Sequence, residues 1–164
     1  MKQKKVFLMS GPPGCGKSTY VRNHLTDDAI WISRDNIRFS IVKEDEEYFS
    51  HEDEVFDTFI NSINKALEND EINSIYVDAT HLTKRARDKV VFRLNNKNIG
   101  ELNCICFRLP RQLVLERNGQ REGRALVPKT VVNNMFDSYI FPKKKTEKFD
   151  HVYVIDQYNE MEEI

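Results

Sequence analysis

A glycine-rich segment near the beginning of the chain has the composition of a loop that binds phosphate. Residues 11–18 read Gly-Pro-Pro-Gly-Cys-Gly-Lys-Ser and fit the pattern G-x-x-x-x-G-K-[ST] at every position. Glycines let backbone N–H groups curl around phosphate oxygens, and a following helix adds a partial positive charge. The lysine is expected to reach the β- and γ-phosphates of ATP, and the serine hydroxyl is expected to hold Mg²⁺. The predicted donor-binding residues are Gly11, Gly14, Cys15, Gly16, Lys17, Ser18 and Thr19.

A second group of residues that could take part in catalysis or binding lies at positions 34–38. It reads Arg-Asp-Asn-Ile-Arg and follows a strand-like run. The carboxyl ends of parallel strands open onto one crevice, so this group is expected to face the phosphate-binding loop. Asp35 could act as a general base by taking the proton of an acceptor hydroxyl. Arg38 lies on the same helical face and could grip a phosphate of the acceptor. The alternative is that Asp35 caps the helix and Arg38 is a surface residue.

An apolar run that ends in an aspartate supplies a third candidate group. Residues 75–81 read Ile-Tyr-Val-Asp-Ala-Thr-His. Asp78 is expected to help organise Mg²⁺ together with Ser18, because carboxylates and hydroxyls are ligands that this ion accepts. Thr80 and His81 are expected to touch the acceptor, although a surface or structural role for His81 is equally open.

The fourth group is rich in glycine and arginine and reads Arg117-Asn-Gly-Gln-Arg121-Glu-Gly-Arg124. Such a segment between two helices suits a small lid, predicted over residues 117–128. An arginine delivered by a lid would neutralise charge that develops on a transferred phosphoryl group. The alternative is a flexible solvated loop, which is favoured more for Arg124 than for Arg117 or Arg121.

Alternating apolar runs and helical patterns must position these groups. Strands are predicted at residues 5–10, 29–33, 72–77, 102–109 and 151–155. Helices are predicted at residues 17–25, 35–41, 54–67, 83–94, 111–118 and 128–139. The alternation predicts a single α/β domain over residues 1–164, with three layers (α/β/α) and a mainly parallel five-stranded sheet.

The composition limits the possible partners and compartments. The 164 residues carry 25 Lys+Arg against 26 Asp+Glu, a net charge of −1, which argues against non-specific coating of nucleic acid but allows a local basic channel. No apolar run approaches the roughly 18 residues that cross a bilayer, and no secretory signal is expected. Three cysteines form no disulfide framework, so a cytoplasmic location is expected. The Cys15 thiol could make activity sensitive to oxidation.

Taken together, these motifs resemble the kinase domain of the phage-type polynucleotide 5′-kinases, within the P-loop kinase superfamily. The resemblance extends from the first strand to about Tyr139. The matching segments are 11–19, 34–38, 78–81, 117–121 and 127–128. The phosphate-binding loop is shared by many families, whereas its ordered combination with Arg-Asp-x-x-Arg and Arg-Asn-x-x-Arg is more specific.

The resemblance implies transfer of the γ-phosphate of ATP, with Mg²⁺, to the 5′-hydroxyl end of DNA or RNA. It implies that Asp35 is the general base, that Arg38 holds the neighbouring 3′-phosphate, and that Arg121 contacts the transferring phosphate beside Arg117. The residues implied to be catalytic are Lys17, Asp35, Arg38 and Arg121. The residues implied to bind the acceptor are Arg34, Asp35, Arg38, Thr80 and His81. The residues implied to bind donor phosphates or metal beyond the loop are Arg117, Arg121 and Asp78.

Two other functions remain open from the residues alone. A P-loop kinase could act on a small-molecule hydroxyl, such as that of a sugar, nucleoside or antibiotic, and the near-neutral charge suits this reading. A non-catalytic ATP-binding module is the other alternative. The intact set of Lys17, Ser18, Asp35, Arg38 and Arg121 argues against a decayed enzyme.

Overall fold

The computed structural model describes residues 2–164 and is built around a six-stranded sheet with the order β2-β3-β1-β4-β5-β6. The strands are β1 (Lys4–Ser10), β2 (Ala29–Ser33), β3 (Ser74–Asp78), β4 (Ile99–Arg108), β5 (His151–Asp156) and β6 (Met161–Glu163). The helices are α1 (Lys17–His24), α2 (Arg34–Ile41), α3 (Glu52–Glu68), α4 (Lys84–Val91), α5 (Arg111–Gly119) and α6 (Lys129–Ser138). Two short 3₁₀ helices occupy Asn96–Asn98 and Gly123–Ala125. Every predicted strand and helix is present, with bounds that differ by a few residues.

The sheet is parallel except at one edge. Strands β1 to β5 pair in parallel, and β6 pairs with β5 in the antiparallel sense. The mainly parallel sheet was predicted, but the expected number of five strands was wrong. All three residues of β6 are exposed, so this strand carries no alternating apolar pattern that would reveal it.

Helices cover both faces of the sheet, which confirms the three-layer α/β/α architecture. On β1, Val6 and Leu8 belong to one apolar cluster and Met9 to the other, because alternate residues of a strand face opposite sides. The first cluster includes apolar residues of α3 and α4, and the second includes residues of α1, α5 and α6. Strand β1 is therefore buried between two layers, and its carboxyl end lies in the middle of the sheet edge.

Helix α3 is the longest helix and has one strongly apolar face. Phe56, Phe59, Ile60 and Ile63 recur at helical spacing and are buried against the sheet. Acidic residues at positions 52–54 occupy the first turn, where they complement the positive end of the helix dipole. The helix begins two residues before its predicted start, and this places Glu52 at the same edge as α2.

A buried ion pair anchors the loop that follows β3. Arg87 is completely buried and donates to both carboxylate oxygens of Glu147, at 2.8 and 3.0 Å. It also donates to the backbone carbonyls of His81 and Ile140, both at 2.9 Å. A buried charge is tolerated when it is paired and hydrogen-bonded in this way. The pair holds the loop at residues 79–82 against α4 and the C-terminal segment.

Over residues 2–164, no helix combines the length and the apolar character needed to span a bilayer.

Candidate active site

The phosphate-binding loop connects the end of β1 to the beginning of α1, as predicted. Gly16 has a φ of +100°, a left-handed conformation in which a side chain would be strained. A Cβ on Gly11 would lie only 2.6 Å from the sulfur of Cys15. The compact curl of the loop therefore depends on glycine at these two positions.

The ammonium group of Lys17 is held inside this curl. Its Nζ donates to the carbonyl oxygens of Gly11, at 2.7 Å, and Pro12, at 3.0 Å, and lies 3.7 Å from the sulfur of Cys15. Cys15 is itself buried, and burial raises the pKa of its thiol. A raised pKa disfavours the reactive thiolate, so the placement of Cys15 does not favour the oxidation sensitivity that its thiol could confer.

Ser18 and Asp78 meet at the junction of the loop with β3. The Ser18 hydroxyl donates to Oδ2 of Asp78 at 3.1 Å, and the same oxygen accepts a 3.0 Å hydrogen bond from the Trp31 indole. This hydroxyl–carboxylate pair fits Mg²⁺, which is usually held by one or two carboxylates together with phosphates and water. The part of the chain that the structure describes has no cluster of three or more His, Cys, Asp or Glu residues for a metal. The pair therefore suits an ion delivered with a nucleotide.

A cleft of about 820 Å³ opens beside the loop, within the size range of about 300–1,000 Å³ that is usual for ligand sites. The residues of its lining that the sequence predicted are Gly14, Cys15, Gly16, Lys17, Ser18, Thr19, Arg117 and Arg121. The β5–β6 turn supplies further lining residues that no motif indicated, namely Asp156, Gln157 and Asn159. The structure thus brings both predicted lid arginines to the cleft beside the phosphate-binding loop.

Two reciprocal hydrogen bonds join the beginning and the end of the predicted lid segment. The Asn118 side chain donates to the carbonyl oxygen of Val127 at 2.6 Å and accepts from its N–H at 3.1 Å. Within this loop, Arg121 donates to the carbonyl oxygen of Ala125 at 3.3 Å.

Arg124 connects the lid to α2. Its guanidinium donates to the carbonyl oxygens of Phe39, at 3.4 Å, and Val42, at 2.5 Å, and lies 4.8 Å from the centre of the Phe39 ring. The alternative that Arg124 belongs to a solvated loop was therefore wrong, because these backbone acceptors hold it in place.

On the predicted acceptor side, Ser33 is the N-cap of α2, so Asp35 does not have that role. The Ser33 hydroxyl accepts from the N–H of Asn36 at 3.2 Å. The Asp35 side chain is 55% exposed, and its Oδ1 accepts hydrogen bonds from Arg38 and from the Tyr48 hydroxyl, the latter at 2.8 Å. Among the residues that the structure describes, Oδ2 of Asp35 has no hydrogen-bond partner.

Arg38 is an organising residue of this side rather than a surface residue. Its side chain is only 7% exposed, and it donates to both oxygens of Glu52, at 2.6 and 3.0 Å. It also donates to Asp35 and, at 3.1 Å, to the hydroxyl oxygen of Tyr48. Within residues 2–164, one guanidinium N–H of Arg38 is left without an acceptor. Sequence reasoning missed Tyr48 and Glu52, which lie in an acidic stretch without a motif.

Arg34 lies on the other side of Glu52. It donates to Oε2 of Glu52 at 3.1 Å, and its guanidinium lies 5.2 Å from the centre of the Phe56 ring. Glu52 therefore pairs with both arginines of the Arg-Asp-x-x-Arg motif. The structure brings Arg34, Asp35 and Arg38 together as predicted, around a carboxylate that the sequence did not indicate.

Thr80 and His81 fasten the loop after β3 to the phosphate-binding loop. The carbonyl oxygen of Thr80 accepts from the N–H of Gly11 at 2.9 Å, and the His81 ring donates to the carbonyl oxygen of Met9 at 2.6 Å. His81 is buried, and burial lowers its pKa to about 4, with a smaller contribution from nearby Arg and Lys charges. This position gives His81 a structural role and does not support the predicted contact of its side chain with an acceptor.

A family model described as "AAA domain" matches residues 6–142, a range that includes every predicted site residue. The chain belongs to this family. No curated protein matches the sequence.

Solved structures share the fold of this AAA-domain chain at low sequence identity. A chain of the Pnkp1/Rnl/Hen1 RNA repair complex matches with a TM-score of 0.71 and 22% identity, covering 92% of this chain and 47% of that one. A fungal RNA kinase matches with a TM-score of 0.61 and 17% identity, covering 94% and 75% of the two chains. A gluconokinase from Sinorhizobium meliloti 1021 matches with a TM-score of 0.59 and 16% identity, covering 95% and 84%.

These similarities confirm that the chain has the P-loop kinase fold. The fold is shared by kinases of RNA and of a small molecule. The chain spans about half the length of the matched chain in the RNA repair complex.

Proposed function

We propose that this protein is an ATP-dependent kinase that transfers the γ-phosphate to the 5′-hydroxyl end of a polynucleotide, DNA or RNA. The observation that carries the kinase reaction is the state of Asp35, while the polynucleotide acceptor rests on the charge of the chain and on the similarity in fold to an RNA kinase. The Asp35 carboxylate is half exposed, is held through one oxygen by Arg38 and Tyr48, and keeps the other oxygen free of partners within the described residues. This is the arrangement that a general base for a hydroxyl requires.

The donor side supports ATP binding with Mg²⁺. The phosphate-binding loop and Lys17 would hold the β- and γ-phosphates, while Arg117 and Arg121 line the same cleft. Ser18 and Asp78 would hold Mg²⁺, which neutralises charge on the phosphates when it is bound. Arg121 would stabilise the charge that develops on the transferred phosphoryl group.

The acceptor side supports proton removal by Asp35. The free oxygen of Asp35 takes the proton of the 5′-hydroxyl while the hydroxyl oxygen forms a bond to the γ-phosphorus. The bond from the γ-phosphorus to the oxygen of the β-phosphate breaks, and ADP leaves. Arg38 positions Asp35, and its remaining N–H would be available to a phosphate of the acceptor.

A polynucleotide end, rather than a long duplex, fits the charge of the chain. The net charge of −1 gives little attraction for extended nucleic acid. Arginines are nevertheless gathered at the site. Arg117 and Arg121 line the donor cleft, and Arg34 and Arg38 lie on the acceptor side, where Glu52 and Asp35 balance their charge. The similarity in fold to a fungal RNA kinase supports this acceptor class.

A kinase of a small-molecule hydroxyl is the second candidate. The gluconokinase shares the fold over 84% of its own chain. A small-molecule hydroxyl would need the same general base, so Asp35 does not discriminate between the two candidate functions.

The test is transfer from γ-labelled ATP with Mg²⁺ to matched acceptors. We expect label on 5′-hydroxyl DNA or RNA oligonucleotides and none on 5′-phosphorylated oligonucleotides, gluconate or free nucleosides. ATP binding is measured in parallel by equilibrium titration, and Asp35→Asn serves as the inactive control. Label on gluconate or a nucleoside alone would replace the proposal with the second candidate, and ATP binding without transfer to any acceptor would refute both.

A further inference from the structure

Two adjacent aromatic residues, Tyr48 and Phe49, lie beside the proposed general base. Their ring centres are 4.7 Å apart with an angle of 89° between the rings. The Tyr48 hydroxyl bonds to Asp35, so the pair is joined directly to the carboxylate that would take the proton. We call Tyr48 and Phe49 the aromatic platform.

The platform is held from one side and open on the other. The Arg38 guanidinium lies 4.7 Å from the centre of the Tyr48 ring and 5.4 Å from that of Phe49. Arg38 is itself buried, whereas Phe49 is 60% exposed. Arg38 and Tyr48 therefore cover part of the Phe49 ring, and the remainder is exposed to solvent.

Further contacts stabilise the platform against movement. Tyr48 packs edge-on against Phe39 of α2, with ring centres 6.1 Å apart, and Phe39 in turn lies under Arg124 of the lid. A solvent-exposed aromatic ring that is supported by its neighbours and adjoins a reactive group has the properties of a stacking surface for a ligand.

We propose that the aromatic platform stacks the base of the acceptor's 5′-terminal nucleotide, with Phe49 making the principal contact. The inference rests on the proposed polynucleotide kinase activity and adds the means of acceptor recognition. In a terminal nucleotide, only the sugar separates the 5′-oxygen from the base, so a 5′-oxygen at Asp35 leaves the base close to residues that adjoin Asp35. Every base has a π-face, so this contact would tolerate any terminal base.

The experiment measures kcat and the acceptor KM for a 5′-hydroxyl oligonucleotide with the full chain, using Phe49→Ala and Phe49→Trp. Stacking on an aromatic side chain contributes about 1–3 kcal/mol per base, so Phe49→Ala should raise the acceptor KM about 5- to 150-fold. The KM for ATP should stay unchanged, and Phe49→Trp should restore the acceptor KM. Phe92→Ala is the matched control, since Phe92 is 64% exposed at the end of α4 and should leave all constants unchanged.

A second acceptor isolates the base itself. In this oligonucleotide the 5′-terminal nucleotide keeps its sugar and hydroxyl but lacks the base. Wild-type enzyme should show a raised KM for it, and Phe49→Ala should add little further increase. If wild-type enzyme phosphorylates intact oligonucleotides but Phe49→Ala keeps the wild-type KM, or the missing base costs nothing, the platform inference is overturned and the kinase activity stands. If no oligonucleotide is phosphorylated while ATP is bound, both are overturned.

Discussion

The hydroxyl of Tyr48 donates a 2.8 Å hydrogen bond to Oδ1 of Asp35, across 13 residues of the chain. Burial and the neighbouring Asp35 raise the pKa of Tyr48 to about 12, so the hydroxyl keeps its proton and remains a donor at neutral pH. Together with Arg38, this bond holds the carboxylate through Oδ1 and leaves Oδ2 without a partner among the described residues. The orientation of Asp35 thus depends on a residue outside every recognisable motif.

Tyr48→Phe removes this donor but keeps the ring. Because a hydrogen bond to a charged group contributes about 1.5–3 kcal/mol, we expect kcat for a 5′-hydroxyl acceptor to fall about tenfold or more. The KM for ATP should not change, because the donor cleft lies elsewhere. Steady-state kinetics measure both constants, with Tyr158→Phe as an exposed control. An unchanged kcat would show that Arg38 alone positions Asp35.

Asp35→Asn removes the proposed base while preserving the size of the side chain. General-base catalysis contributes about 10²–10⁴-fold, so transfer should fall by at least about 10². Affinity for ATP, measured by titration, should remain within a factor of about two because the hydrogen bonds of Asp35 go to Arg38 and Tyr48 and not to the phosphate-binding loop. Asp53→Asn, an exposed acid in the first turn of α3, provides the comparison. Retention of normal turnover by Asp35→Asn would exclude Asp35 as the base.

Glu147→Ala leaves the buried Arg87 without its carboxylate partner. Breaking a buried pair in this way costs about 3–5 kcal/mol, and urea denaturation should show a loss of that size in the free energy of unfolding. Glu162→Ala breaks an exposed contact with Arg108 at 3.6 Å and should cost less than about 1 kcal/mol. Equal losses for the two variants would show that the buried pair contributes no more than a surface one.

The lowered pKa of His81 predicts that the protein loses stability in mild acid. Burial lowers this pKa to about 4, against an ordinary value of 6.5, so the folded protein binds this proton less readily than the unfolded chain. The stability that this difference contributes is present above about pH 6.5 and is lost as the pH falls towards about 4. Over this range, the free energy of unfolding of the wild type should fall by up to about 3 kcal/mol more than that of His81→Asn. Asparagine is chosen because it tolerates the positive φ of 42° at this position. Parallel stability curves from urea titrations at each pH would contradict the assignment.

The sequence predicts those parts of the site whose residues are contiguous or end a strand. The phosphate-binding loop is one uninterrupted motif, and Asp35 and Asp78 follow apolar strands whose carboxyl ends must meet at one edge. Their mutual positions followed from the sheet, which the alternation of strands and helices predicts.

Tyr48 and Glu52 were missed for a physical reason. Their roles depend on how the segment between α2 and α3 turns back over α2, and an acidic, aromatic stretch carries no periodicity that reports such a turn. For His81 the residue type suggested chemistry, but the bend after β3 directs its ring towards the carbonyl of Met9, which favours the structural role that the sequence left open. Side-chain type and strand position alone therefore did not determine which polar groups reach the cleft.

Arg124 of the lid hydrogen-bonds to the carbonyl oxygens of Phe39 and Val42. Carbonyl oxygens belong to every amino acid, so substitutions in α2 that keep its helical end also keep these acceptors. Positions of α2 other than Arg34, Asp35, Arg38 and Phe39 can consequently change without uncoupling that helix from the lid. A designer who wishes to change the acceptor of this protein can vary those remaining positions of α2 while keeping the backbone hydrogen bonds that join it to the lid.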